Sequence, residues 1–402
     1  MTAIGTRRRL FPIEDMHHMF RYLCRVDRFK GVVVRVITVF LLVPLLLWLV
    51  ARPPLIKLPS RTSNYFKVAY GTLYYFASWR ESYTKEDAYQ HCEYKNCIPT
   101  RDVTDADAVV FHNWDINMPF SDTRSGRNRA KQVWIYYGLE PLARTNWFPA
   151  ALNGLFNWTM TYMSTSDIPL KYHVYEKVQN VSSRKCDLTP VLNKPRTALM
   201  VASHCHTVSR REELVEELRK DIDVDVFGKC GEPCPNNCDF GLFEKKYKFY
   251  FAFENSKCLE YVTEKVWMNA LAVGLVPVVL GGKTRKDYEM LLPPDSFIYA
   301  DDFSSPKLLA GHLRTVGSDP KLYNNYLKWR KVFRLSNSQE NTDLCSICRG
   351  LNNKTLMSKP RVVRNLEKFW NVTQDCHGAG PGAHKTRWAT LKGYLLYLFG
   401  VL

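Results

Sequence analysis

Apolar residues in the second half of the chain alternate between continuous runs and segments with helical spacing. The continuous runs have the length of strands, and the other segments place apolar residues three or four positions apart. Predicted strands cover 197–202, 224–227, 247–253 and 275–280, and predicted helices cover 210–220 and 263–273. Gly274 follows the second helix, where a left-handed residue is favoured. This order predicts a parallel sheet with helices on both faces and ligands beyond the carboxyl ends of its strands.

Shorter β-rich runs occupy the first half of the chain, at 66–76, 108–112 and 132–137, with polar connections between them. A chain of 402 residues is long enough for two domains, each with its own hydrophobic core. The pattern therefore predicts an α/β protein with two domains.

One apolar run near the N-terminus is too long for an ordinary core element. Residues 32–50 read VVVRVITVFLLVPLLLWLV and are interrupted only by Arg35 and Pro44. That is about the length that a bilayer requires. A cleaved signal peptide fits poorly, because the basic segment before the run is too long. The basic residues orient the N-terminus toward the cytosol, although further basic residues after the run weaken this asymmetry.

Sequons and cysteines agree with a luminal body after this span. Four Asn-X-Ser/Thr sequons begin at Asn157, Asn180, Asn353 and Asn371. Twelve cysteines are many for a cytosolic protein and indicate an oxidising compartment. If Cys24 is cytosolic, eleven of the twelve remain, so at least one lies outside an intramolecular disulfide.

These features divide the chain into six segments. We assign a cytoplasmic tail to 1–31, a transmembrane signal anchor to 32–50, a stem to 51–63, an N-terminal domain to 64–190, a C-terminal domain to 191–376 and an extension to 377–402. The end of the extension is apolar but too short to span a bilayer.

The formal net charge of +17 narrows the choice of partners. Such a charge is typical of proteins that bind nucleic acid, an anionic membrane surface or a small anionic substrate. A nucleic-acid protein needs a basic stripe or a known fold motif, and the sequence contains neither. We therefore expect no nucleic-acid partner.

A polar loop between a strand and a helix is the strongest candidate site. It follows the predicted strand 247–253 and is dense in hydrogen-bonding groups: Glu254, Asn255, Ser256, Tyr261, Thr263, Glu264 and Lys265. Thr263 is a good N-cap for the helix. Lys265 destabilises the helix by about 0.3–1 kcal/mol, because a cation in the first turn opposes the helix dipole. A solvent-directed lysine is the alternative, but the loop's place at the sheet edge favours an anion site for a nucleotide.

Arg210 and Arg211 open the helix of the neighbouring unit. Two cations near a diphosphate would neutralise the charge that a departing nucleotide develops. The alternative is that one or both arginines pair with glutamates on their own helix: Glu212, Glu213 or Glu216.

A long segment resembles the signature of the Golgi α1,3-fucosyltransferases. Residues 249–282 read FYFAFENSKCLEYVTEKVWMNALAVGLVPVVLGG, and the similarity continues through 296–313 and the terminal Cys345–Cys348 motif. The segment 222–231 is similar to the form seen in invertebrate and plant members. The resemblance covers roughly 65–376 and implies a GT-B-like fold, with two Rossmann-like domains facing a cleft.

The resemblance implies a membrane enzyme of the Golgi, single-pass and type II, with its catalytic domain luminal. It implies GDP-fucose as donor, an N-acetylglucosamine-containing glycan as acceptor, and inversion at the sugar carbon by a single displacement. No cofactor is required for the chemistry, with Mn²⁺ or Mg²⁺ as an optional stimulatory cation. A homodimer is compatible with the resemblance, which does not determine the oligomeric state.

The donor-binding residues that the resemblance implies all come from the second half. Glu254 and Asn255 match positions that line the donor pocket, and Tyr261 and Glu264 match positions near nucleotide and fucose. The diphosphate-binding cations are Lys265 and Arg211.

The acceptor half departs from the family pattern. The motif 111–115 resembles an acceptor motif with two histidines and implies acceptor-side roles for His112, Asn113, Trp114 and Asp115, with Asn113 as the departure. Glu140 matches the glutamate that serves as general base, and Asp115 is the competing candidate. Residues 163–165 read Met-Ser-Thr where two arginines and an aspartate usually stand.

Two functions therefore remain. One is an active α1,3-fucosyltransferase, whose acceptor is either the innermost N-glycan N-acetylglucosamine or a terminal lactosamine. The other is a GDP-fucose-binding or folding-helper protein that has lost catalysis. Metal sites are weaker candidates: the Asp221–Asp225 repeat fits a solvated face, and the cysteines at 230, 234 and 238 fit disulfides better than zinc.

The topology is directly testable. If the body from residue 65 onward is luminal, endoglycosidase treatment of the full-length protein should increase its gel mobility, because its sequons carry glycans. Unchanged mobility, with the C-terminus open to protease from the cytosolic side, would contradict the signal anchor.

Overall fold

The computed structural model describes residues 65–72, 85, 87–113, 116, 132–141, 152–179, 191–282, 284–336, 342–358, 363, 365–370 and 376–377. All of them belong to one compact unit, Ile56–Leu402; the other unit, Met1–Leu55, lies outside them. The predicted span 32–50, the stem 51–63 and the sequons at Asn180 and Asn371 also fall outside. Within the described ranges, no helix is long and apolar enough to cross a membrane.

The first sheet has six parallel strands. In chain order they are β1 (Phe66–Tyr70), β2 (Cys97–Pro99), β3 (Ala108–His112), β4 (Val133–Gly138), β5 (Trp158–Thr161) and β6 (Ile168–Pro169). Their order across the sheet is β2-β1-β3-β4-β5-β6. Every residue of β4 is buried, as expected for a central strand covered on both faces.

The second sheet has five parallel strands. They are β8 (Arg196–Val201), β9 (Val224–Phe227), β10 (Tyr247–Phe253), β12 (Val276–Leu280) and β13 (Ile298–Tyr299), in the order β13-β12-β10-β8-β9. The helices are α1 (Arg211–Leu218), α2 (Phe240–Lys246), α3 (Glu264–Val266), α4 (Arg285–Leu291), α5 (Pro306–Ser318) and α6 (Pro320–Asn325). The predicted parallel sheet is confirmed.

Alternate residues of β10 face two separate cores, which is the period expected of a strand covered on both sides. Phe249, Phe251 and Phe253 pack with residues of α1 and α5. Tyr250 and Ala252 pack on the opposite face with residues from 262 to 297. The second sheet is therefore the middle layer of a three-layer α/β arrangement.

The helix expected at 263–273 is present but irregular. A single α turn, α3, continues as a π turn at Trp267–Leu271, and the backbone N–H of Ala272 donates to Trp267 O at 2.9 Å. The apolar face survives, since Val266, Trp267 and Leu271 stay buried. Gly274 has φ +89°, so the predicted left-handed end of the helix is confirmed.

The C-terminal segments return to the first sheet. These are α7 (Asp343–Asn352), α8 (Lys354–Ser358) and α9 (Leu366–Trp370). Leu344, Ile347 and Leu351 pack in the core on one face of the sheet, and Trp370 packs in the core on its other face. The boundary at residue 190 stays a prediction, but the packing places 343–370 with the first sheet rather than with the second.

Two small antiparallel pairs also join distant parts of the chain. The strand β7 (Tyr175–Lys177) pairs with β14 (Phe333–Leu335), and β11 (Lys257–Cys258) pairs with β15 (Cys376–His377).

Five disulfides accompany these contacts: Cys92–Cys345, Cys97–Cys348, Cys205–Cys230, Cys234–Cys238 and Cys258–Cys376. Cys24 and Cys186 lie outside the described residues. The disulfide assignment of the cysteines at 230, 234 and 238 is confirmed.

The long-range disulfides should stabilise the fold most, because they close the largest loops of the unfolded chain. Cys92–Cys345 and Cys97–Cys348 close almost the same loop, so either one alone keeps it closed, whereas Cys258–Cys376 closes a separate loop of 118 residues and Cys234–Cys238 one of 4. We expect Cys258→Ala/Cys376→Ala to lose about 2–5 kcal/mol of unfolding free energy. Thermal and chemical denaturation would measure it, with Cys234→Ala/Cys238→Ala as the matched control. Equal losses in the two double variants would contradict this ranking.

Candidate active site

The carboxyl ends of the two sheets meet at one loop. This loop, residues 254–263, follows β10 and contacts side chains that follow β4, β5 and β6 of the first sheet. The hydroxyl of Tyr261 donates to Glu140 Oε2 at 2.9 Å, and Glu140 lies two residues beyond the end of β4. The structure thus brings a predicted donor residue and the predicted general base into direct contact.

Glu254 is a buried carboxylate at the base of the loop, with an exposed fraction of 0%. Its Oε1 accepts from Thr263 N at 2.9 Å and from Thr263 Oγ1 at 2.8 Å, and its Oε2 lies 3.1 Å from Lys265 Nζ. Burial raises the pKa of Glu254, and the charge of Lys265 opposes this rise. These contacts make Glu254 a support for the loop and for the start of α3.

Lys265 is held between two carboxylates. Its Nζ lies 3.1 Å from an oxygen of Glu254 and 3.1 Å from an oxygen of Glu264, and it donates to Thr263 Oγ1 at 2.8 Å. Burial alone would lower the pKa of Lys265, but the two carboxylates outweigh it and raise the pKa above its usual value. Thr263 caps α3 by accepting from Lys265 N, as predicted. The Glu264 side chain is 52% exposed and is the more accessible partner of the lysine.

Arg211 is buried beneath the ends of two neighbouring strands. Its guanidinium donates to Phe253 O at 2.7 Å and to His204 O at 3.1 Å. Its Nε has no hydrogen-bond partner in the part of the chain that the structure describes. Burial lowers the pKa of Arg211, and the nearby charge of Glu254 opposes this. Arg210, in contrast, is exposed and pairs with Glu213, so for this residue the surface-pair alternative is confirmed.

Two further polar groups of the loop are buried without hydrogen-bond partners among the described residues. They are Asn255 Oδ1 and Ser256 Oγ, in residues exposed to 6% and 1%. The backbone around them is fixed, because Ser209 Oγ donates to Glu254 O at 2.6 Å. Buried polar groups usually have partners, so this cluster indicates a ligand position.

Of the four predicted acceptor-side residues, the structure describes His112 and Asn113, whereas Trp114 and Asp115 lie outside the described residues. Burial lowers the pKa of His112 to about 4, so its imidazole is neutral at neutral pH. Asn113 is buried against Gly138, where a Cβ atom would lie 2.3 Å from Asn113 Nδ2. The departure from the family histidine therefore fills space beside the end of β4.

Several residues of the site were not predicted. The ring of Tyr261 lies 5.2 Å from that of Tyr162 and 6.3 Å from that of Tyr172, and Tyr172 also donates to Leu139 O at 2.9 Å. Glu260 contacts Ser164 and Lys171. The one feature of the sequence that pointed to these residues was the altered segment 163–165. Sequence spacing could not show that this segment contacts Glu260.

The alternative sites have structural explanations. Asp223 and Asp225 pair with Arg196 at the start of β8, which is the amino-end edge of the sheet and away from the loop. Within the described ranges, one cluster could hold a metal, His91 with Cys92 and Cys345, and both of its cysteines form a disulfide.

The two described sequons differ in accessibility. Asn157 is half-buried, and its Oδ1 accepts from Trp134 N at 2.8 Å. Asn353 is exposed at the start of α8.

Space for Glu254 depends on Gly281, directly after β12. A Cβ atom there would lie 2.9 Å from Glu254 Cγ and 2.8 Å from the Tyr288 hydroxyl. We expect Gly281→Ala to displace these side chains and lower the unfolding free energy by about 1–3 kcal/mol, measured by chemical denaturation. Gly311→Ala, in the middle of α5, is the control, because its nearest neighbour would be 4.0 Å away. Wild-type stability of Gly281→Ala would show that the close approach is not needed.

Comparisons of the sequence with known proteins identify its family. A family model for the N-terminal part of fucosyltransferases matches residues 71–173, and one for the C-terminal part of glycosyltransferase family 10 (fucosyltransferase) matches 191–370. A 3-galactosyl-N-acetylglucosaminide 4-alpha-L-fucosyltransferase of Pongo pygmaeus is 37% identical over 269 residues, which cover 66% of this chain and 69% of that protein.

A glycoprotein 3-alpha-L-fucosyltransferase A of Drosophila melanogaster is 34% identical over 273 residues, which cover 66% of this chain and 51% of the relative. This chain thus spans about half the length of that relative. A crystal structure of an alpha1,3-fucosyltransferase with GDP-fucose aligns with a TM-score of 0.47 and 17% identity, over 68% of this chain and 84% of the other. On the family models and the sequence relatives, the chain belongs to the fucosyltransferases of glycosyltransferase family 10.

Proposed function

We propose that this chain is an inverting α1,3-fucosyltransferase. It transfers L-fucose from GDP-fucose to the 3-hydroxyl of N-acetylglucosamine in a glycoprotein or glycolipid glycan. Family membership supports the reaction class. The contact of Tyr261 with Glu140, across the two sheets, is the observation that carries the proposal, because it joins the donor loop to a carboxylate that can act as base.

Glu140 is the proposed general base. Its Oε2 accepts from Tyr261, which leaves Oε1 for the acceptor hydroxyl. In a single displacement, the acceptor oxygen bonds to the anomeric carbon as the bond from that carbon to the diphosphate oxygen breaks. The acceptor proton passes to Glu140, and the bonding electron pair leaves with GDP. A base in contact with the attacking hydroxyl is what this reaction needs.

Lys265 and Arg211 are the proposed partners of the diphosphate. Lys265 is already bonded to Glu254 and Glu264, but only Glu254 is buried. The exposed Glu264 can yield its place to a phosphate oxygen, while Glu254 keeps the lysine in position. Arg211 uses one N–H of each terminal nitrogen for Phe253 O and His204 O, and its Nε–H has no partner among the described residues, so N–H groups remain to donate to a phosphate. Positive groups fixed in advance would stabilise the charge that develops on the leaving GDP.

We propose a GT-B-like arrangement in which the second sheet carries the donor and the first carries the acceptor. Asn255 and Ser256 supply polar atoms to the donor side, and His112 and Asn113 lie on the acceptor side. The signal anchor 32–50 would hold this body in the Golgi lumen as a type II protein. Because protein cations face the diphosphate, Mn²⁺ or Mg²⁺ would act only as a stimulator.

The decisive variant is Glu140→Gln. The amide oxygen can still accept from Tyr261, so we expect a folded protein that binds GDP-fucose but transfers fucose about 10²–10⁴ times more slowly. GDP release with and without acceptor measures transfer, and GDP-fucose titration measures binding. A folding-helper protein would release no more GDP when acceptor is added to the wild type. Near-normal transfer by Glu140→Gln, with a folded but inactive Asp115→Asn, would move the base to Asp115.

A further inference from the structure

A second contact joins the loop to the first sheet, one residue before Tyr261. The carboxylate of Glu260 accepts from Ser164 N at 2.8 Å and from Ser164 Oγ at 2.6 Å, and it forms an ion pair with Lys171. Ser164 lies between β5 and β6, and Lys171 follows β6. We call Glu260, Ser164 and Lys171 the Glu260 latch.

The ion pair of the latch is largely shielded from solvent, whereas Ser164 is exposed. The side chain of Glu260 is 13% exposed and that of Lys171 is 25% exposed. Burial alone would raise the pKa of Glu260, but the bonds from Lys171 and Ser164 outweigh it and lower the pKa. Exposed ion pairs contribute little to structure because water and salt screen them. This pair is less screened and carries two further hydrogen bonds from Ser164.

The backbone at Glu260 also depends on these contacts. Its φ is +57°, in the left-handed region that residues with a Cβ atom rarely adopt. The turn is tight, since Val262 N donates to Glu260 O at 3.0 Å. A strained conformation of this kind persists only where surrounding contacts fix it. In this loop the latch supplies such contacts.

The latch and the tyrosine cluster share the same two segments. Tyr162 lies two residues before Ser164, and Tyr172 directly follows Lys171. The centroids of their rings lie 5.2 and 6.3 Å from that of Tyr261. A change at Glu260 would therefore move Tyr261 relative to both rings and to its partner carboxylate.

We propose that Glu260 is a positioning residue for the general base. Held by Ser164 and Lys171, it fixes the hydroxyl of Tyr261 on one oxygen of Glu140, and so sets where the other oxygen meets the acceptor. This proposal rests on the proposed function. Glu260 itself exchanges no proton with the substrate and binds no part of the nucleotide.

The test compares Glu260→Gln and Lys171→Met with the wild type in fucose transfer. Misplacing a base by a fraction of an ångström to one ångström lowers turnover, so we expect kcat to fall roughly ten- to a hundredfold. KM for GDP-fucose should change much less than kcat, because the donor contacts of Glu254 and Lys265 are untouched and only Tyr261 is displaced. Lys171→Arg keeps the ion pair and should retain most of kcat.

Arg334→Met is the matched control. It removes the pair of Arg334 with Glu176, at 2.7 Å, which also joins the two halves of the chain but lies between β7 and β14. Its kcat should equal that of the wild type. An equal fall in this control, an unchanged kcat in both latch variants, or a loss expressed mainly in KM for GDP-fucose would overturn the proposal.

Two further outcomes are separable. If Glu260→Gln and Lys171→Met do not fold, as judged by circular dichroism, Ser164→Ala removes one hydroxyl bond and leaves the ion pair. It should lower kcat by a smaller factor, and an unchanged kcat in this folded variant would count against the latch.

Absence of transfer by the wild type would count against the enzyme function, whereas transfer with unaffected latch variants would count against the latch alone.

Discussion

The buried carboxylate of Glu254 is the constraint on which the site depends. A charge removed from water is costly unless it is paired and hydrogen-bonded. Glu254 has such partners in Thr263 and Lys265, nine and eleven residues further on. Its bonds therefore close the loop on itself and fix where the helix after it begins. The side chain also needs space, which the absence of a Cβ atom at Gly281 provides. The position of Tyr261, two residues before Thr263, follows from this closure.

The two sheets are held together because the chain builds the first sheet, then the second, and then returns to the first. The second sheet is complete at β13, yet the chain continues into helices that pack on the first sheet. Two disulfides tie α7 to residues near β2. Since Trp370 packs near Tyr162, and Tyr162 near Tyr261, the last described helix supports the site from behind. The candidate site is thus built from both halves of the described chain.

The sequence predicted the parts of the structure that local rules determine. Continuous apolar runs predicted four of the five strands of the second sheet but not β13, and Thr263 predicted the helix start. Local rules could not tell Arg210 from Arg211: one faces solvent and the other is buried under two strand ends. Nor could they find the return of α7 or the partners of Glu260. Those contacts join residues about 90 to 250 positions apart, and their distances exist only in the folded chain.

The pairing of β11 with β15 has a consequence for biosynthesis. Cys258, in the loop 254–263, leaves the ribosome 118 residues before Cys376, with which it forms a disulfide. At about 5–20 residues per second, roughly 6–24 seconds separate the two. During that interval Cys258 cannot form its disulfide with Cys376, and Trp370 is not yet present to support the site. The second sheet can form meanwhile, but the candidate site gains these supports only when residues 366–377 have been translated. A nascent polypeptide that ends before these residues would therefore lack both the disulfide at Cys258 and the packing of Trp370 against Tyr162.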